Sequence, residues 1–171
     1  MIFWKSAMWR FAFRVLPLLM LIGCAGPSYV YRYVPGKTAT LADGQAVAPP
    51  EAPLRVQAAV AAGNAIAGAP YRFGGGHGQN VDGGFDCSGA ASYVLREAGL
   101  MGDCRPSSGF RRYGESGGGD WISVYARKGH VFLVIAGLRF DTGWTGEEAG
   151  PRWTTRNRPA SGAVVRHPPG F

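Results

Sequence analysis

The stretch FDCSGAASYVLREAGL, residues 85–100, puts a cysteine where a helix begins. Asp86 has the chemistry of an N-cap, because a carboxylate accepts from an orphan N–H of the first turn. Ala91, Val94, Leu95 and Ala98 then fall at the i, i+3, i+4, i+7 spacing of one buried face. Gly99 suits the left-handed residue that ends a helix. Cys87 is therefore the first helical residue. Backbone N–H groups and the helix dipole there favour the thiolate, the nucleophilic form of cysteine. On the residues alone the thiol has four readings: nucleophile, metal ligand, half of a disulfide with Cys104, or core.

Outward toward the amino terminus, YRFGGGHGQNVDGGF (residues 71–85) is a glycine-rich loop. It lacks the GxxxxGK[ST] pattern that cradles phosphates, which argues against nucleotide binding. Before it, residues 54–68 predict a second helix, with Val56, Ala59, Val60, Gly63, Ile66 and Ala67 on one face. Residues 25–53 show no sustained period and end Ala/Pro-rich, so residues 24–53 are expected to be a tether. Within them SYVYRYV (residues 28–34) alternates weakly and predicts an edge strand.

Outward toward the carboxyl terminus, residues 101–119 look irregular. DWISVYA (120–126), HVFLVIA (130–136), LRFDT (138–142) and GAVVRH (162–167) read as strands. The second is apolar on both faces, as in a doubly covered central strand. Ala136-Gly137 is a hairpin tip. That register places Asp141 opposite Phe132 and diagonal to His130, within side-chain reach. A carboxylate there holds one ring nitrogen so that the other faces a thiol. The expected fold class is α+β, with amino-terminal helices packed on a central antiparallel sheet, in one domain over residues 54–171.

Residues 1–14 carry Lys5, Arg10 and Arg14 and no acid. The short apolar run that follows reads as a signal segment over residues 1–23, too short to span a membrane. Its end, LIGC, resembles the lipobox of bacterial lipoproteins, which makes Cys24 the candidate lipidation site and the membrane a candidate partner; ordinary cleavage nearby is the alternative. Without those three cations, 15 Lys+Arg stand against 11 Asp+Glu. The excess is spread out and not interleaved with aromatics, so nucleic acid is not an expected partner. No cofactor is implied. The histidines are scattered and Cys87 and Cys104 lack close ligand spacing, so no metal site is expected.

The motifs APYRFGGG…FDCSGAASYVLREAGL and GDWISVYARKGHVFLVIAG resemble the NlpC-type peptidase family of bacterial cell-wall hydrolases, over about residue 54 to the end. The resemblance implies a papain-like fold and a thiol endopeptidase acting on short peptidoglycan peptides, with Cys87 as nucleophile and His130 as base. It implies that Tyr71, Asp86 and Ser88 line the substrate groove, where the Asp and Ser can engage a free peptide amine. Asp141 falls near the family's third polar residue, usually His, Asn or Gln, so an acid is a departure. Phe132, where relatives often have glycine, is another, and GFRRYGESGGGD does not carry the family's usual polar pattern. An inactive envelope-binding module, and an amidase or acyltransferase on the same fold, are the alternative functions.

Overall fold

The structure, a computed structural model, describes residues 26–78, 83–143 and 150–171. The signal segment and Cys24 lie outside the described residues. In chain order the elements are β1 (Ser28–Tyr29), β2 (Thr40–Ala42), β3 (Gln45–Val47), α1 (Leu54–Ile66), α2 (Cys87–Glu97), α3 (Ser107–Phe110), β4 (Glu115–Ser116), β5 (Ile122–Arg127), β6 (His130–Ile135), β7 (Leu138–Thr142), β8 (Pro151–Thr154), β9 (Arg158–Pro159) and β10 (Val164–His167). Six of the strands form one sheet in the order β4-β10-β5-β6-β7-β8, with antiparallel pairing throughout. The α+β expectation, with helices packed on an antiparallel sheet, is met. Three short strands precede α1.

Alternation along β6 and β7 sorts the sheet into two faces. Val131, Leu133, Ile135, Leu138 and Phe140 join the helix-side core with Val56, Val60, Val94 and Leu95. Phe132 lies in a smaller cluster with Tyr29 and Ala160, against which Val134 also packs. The helices bury most of the residues their periodicity marks, α1 through Val56, Ala59, Val60, Gly63 and Ile66 and α2 through Ala91, Val94 and Leu95; α1 ends at Ile66, so Ala67, expected on its face, is a half-buried cap. Gly63 lets the Trp153 indole of β8 lie directly on α1; a Cβ there would run into the ring.

The tether expectation is corrected for the described part of residues 24–53. This arm is laid along the body. Tyr29, Ala39, Ala46 and Ala52 are buried. Asn64 of α1 accepts from Ala46 N and donates to Ala46 O, both at 2.9 Å, and Ala39 N donates to Ala136 O at 2.7 Å. The strand expected over 28–34 is only Ser28–Tyr29, and it pairs with β9 instead of joining the large sheet. Buried residues here are few and irregularly spaced, so the arm has no period for a sequence reading to find.

Candidate active site

Asp86 caps α2 as its chemistry requires. Its Oδ1 accepts from Gly89 N at 2.7 Å and its Oδ2 from Gly74 N at 2.9 Å. Cys87 follows as the first helical residue, partly exposed and not in a disulfide; Cys104 is likewise a free thiol. The disulfide alternative is thereby set aside. Arg96 Nη1 lies 2.9 Å from Cys104 Sγ instead.

His130 opens β6, and Cys87 of α2 is near enough to act on its imidazole. Its Nε2–H donates to Asp141 Oδ1 at 2.8 Å, which leaves Nδ1 as the ring nitrogen for the thiol. The hairpin supplies this geometry. Ala136 and Gly137 have φ of 45° and 73°, as a two-residue primed turn requires. The pairs Ile135↔Leu138, Val134↔Arg139 and Leu133↔Phe140 continue the register that sets Asp141 beside Phe132. The expected reach of Asp141 to His130 is thus met by a hydrogen bond, and Cys87 sits at the start of α2 as its N-cap predicts.

Burial alone would depress the basicity of His130. Its bonds to Asp141 and Cys87, and the negative charge of both, outweigh that and raise its pKa from 6.5 to about 9. The ring keeps a small solvent-facing edge, whereas the Asp141 side chain has none.

Asp141 has further partners that the sequence did not reveal. Arg139 Nη1 donates to its Oδ2 at 2.9 Å, Arg158 Nε lies 3.5 Å from the same oxygen, and Thr142 N donates to Oδ1 at 2.8 Å. Arg139 is fully buried. Its guanidinium lies 5.8 Å from the ring centroids of both Tyr29 and Phe132, and that of Arg158 lies 5.6 Å from Phe132, within the range of cation–π attraction. The Tyr29 hydroxyl donates to Gly137 O and accepts from Arg139 N. Burial, partly offset by Arg139, pushes that hydroxyl up to about 12.

Of the expected groove residues, Tyr71 is exposed and is bridged through its backbone to Phe85. Burial raises its pKa, and the negative charges of Cys87 and Asp86 add to this. Asp86 and Ser88 are buried, and Ser88 Oγ donates to Asp86 Oδ1 at 2.9 Å. His77, read earlier only as a loop residue, covers this pair. Its Nε2 lies 3.1 and 3.3 Å from the Asp86 oxygens and 3.2 Å from Ser88 Oγ. Burial would raise the Asp86 carboxyl, but the bonds from Gly89, Ser88 and His77 more than cancel it, and its pKa lies below the ordinary value.

No family model matches the chain, and no curated protein matches it. Solved structures similar to it include an NlpC/P60 family protein from Bacillus cereus, at 17% identity and a TM-score of 0.47, covering 66% of this chain and 40% of that one. A form of the resuscitation promoting factor interacting protein RipA, mutated at a cysteine, is 19% identical with a TM-score of 0.43, covering 76% and 72%. A hypothetical invasion protein of Mycobacterium tuberculosis is 19% identical with a TM-score of 0.42, covering 75% and 71%. The chain spans less than half the length of the first of these.

Proposed function

We propose that the chain is a thiol endopeptidase of the bacterial envelope that hydrolyses short peptidoglycan peptides. The observation that supports this reading is the His130–Asp141 hydrogen bond beside a thiol, that of Cys87, on a helix N-terminus. The motif resemblance described above supplies the substrate class.

In the proposed cycle His130 takes the Cys87 proton, and the thiolate attacks the scissile carbonyl carbon. The oxyanion is received by N–H groups at the start of α2, including that of Cys87. Collapse of the tetrahedral intermediate breaks the C–N bond, and the imidazolium gives its proton to the leaving amine. Water, deprotonated by His130, then releases the acyl group and restores the thiol. Asp86 and Ser88 would receive a substrate ammonium on the side that His77 now covers. Envelope location and anchoring through Cys24 belong to the same reading.

The test is incubation of the full chain with defined muropeptides and mass analysis of the products. Peptide cleavage that disappears in Cys87→Ala is the expected result. Binding without products would replace this reading with an envelope-binding module, and a transferred acyl group would replace it with an acyltransferase.

A further inference from the structure

An acid beside a catalytic imidazole creates a difficulty that a neutral amide does not. A full negative charge at 2.8 Å, with no solvent on the carboxylate, binds the imidazolium proton strongly, because little water attenuates the attraction. A base that never releases its proton cannot restart the cycle. The surroundings of Asp141 answer this difficulty. Its Oδ1 faces His130, while its Oδ2 faces Arg139 at 2.9 Å and Arg158 at 3.5 Å. A buried arginine is costly unless its charge is paired. Here Arg139, whose side chain has no solvent exposure, is directed at this carboxylate. Phe132 and Tyr29 supply the aromatic faces over which the guanidiniums lie.

We infer that Arg139 and Arg158 are positioning residues that share the Asp141 carboxylate with His130, and so limit how tightly that carboxylate holds the imidazolium. This rests on the peptidase reading for its purpose but not for its physics. The charged and titratable groups around the pair come from several elements. Cys87 of α2 and Asp141 of β7 face the imidazole. Arg139 of β7 and Arg158 of β9 face the carboxylate, and Arg152 of β8 is paired opposite Asp141. Tyr29 of β1 faces Arg139, Arg156 also acts on Arg139, and Arg127 of β5 is paired opposite His130. The two arginines thus bring positive charge to the oxygen that His130 does not use.

The test is an NMR titration of the His130 ring in the full chain, assigned by loss of the His77 and His167 signals in His77→Asn and His167→Asn. Arg139→Met, close in volume but uncharged, should raise the His130 midpoint by about one pH unit. Arg158→Met should raise it by less, and Arg139→Lys, which keeps the charge, should leave it near the parent value. The basic limb of kcat/KM for muropeptide cleavage should move with the ring. A midpoint that stays or falls in Arg139→Met overturns the inference. If Arg139→Met does not fold, Arg158→Met decides by the same sign. Because the titration needs no substrate, a chain that cleaves nothing but shows the shifts would sink the peptidase reading alone, and a cleaving chain without the shifts would sink this one.

Discussion

Cys87, His130 and Asp141 depend on one another in a fixed order, and substitutions at the three should differ accordingly. Cys87→Ala removes the attacking atom and should abolish cleavage. His130→Ala removes base and acid together and should lower kcat by about 10³-fold or more. Asp141→Asn keeps an acceptor for the imidazole N–H but removes the charge. It should retain measurable cleavage while the ring's titration moves down from about 9 toward 6.5. A profile of kcat/KM against pH checks this: the wild-type basic limb is expected near pH 9, and in Asp141→Asn it should shift to lower pH. At this scale the sequence was legible where chemistry and local geometry coincide. The cap at Asp86, the first-turn cysteine and the Ala136-Gly137 tip together fix three side chains. Arg139 and Arg158 were not legible. Strand alternation cannot distinguish an arginine pointing into solvent from one pointing into a second small core. Arg158 reaches Asp141 through a strand pair made with the amino-terminal arm.

At the scale of elements, α2 carries Cys87, the proposed nucleophile, and is seated by backbone contact. A Cβ on Gly89 would collide with the Gly75 carbonyl of the glycine-rich loop. Neither partner is a flexible side-chain end, so the helix would have to lift. Gly89→Ala should destabilise by about 3 kcal/mol and reduce cleavage in whatever fraction remains folded. Gly99, at the other end of the same helix, has φ of 66° and open space around its Cβ position. Gly99→Ala should therefore cost only about 1–2 kcal/mol, from backbone strain alone. Urea unfolding of the two variants compares them directly, and equal losses would contradict the proposed seating. The helix itself was plain from its 3.6-residue period. The loop packed against it was not, because the contact is between backbones and leaves no side-chain pattern beyond the glycines themselves.

At the scale of the whole molecule, the pairing of His130 links catalysis to stability. Its folded pKa lies above the ordinary value, so its contribution to stability is fully present below about pH 6.5 and is lost as pH rises through about 9. Thermal melts should show a lower Tm at pH 10 than at pH 6. His130→Gln should narrow that difference, and an unchanged difference would mean that His130 is not coupled to folding. The helices and the hairpin sheet were readable in outline, while the arm, expected to be a tether, is packed on the body. The arm's register against the body is held by Tyr29, Ala39 and Ala46, each buried and each secured by a partner distant in sequence.

That packed arm bears on where such a domain could work. Five residue steps separate Cys24 from Tyr29, and a fully extended chain covers at most about 3.6 Å per step. A molecule anchored by lipid at Cys24 would thus ride within roughly 18 Å of its bilayer, on a short leash instead of a thirty-residue one. Under the proposed function, it would trim only those strands of the wall that come down to meet the membrane.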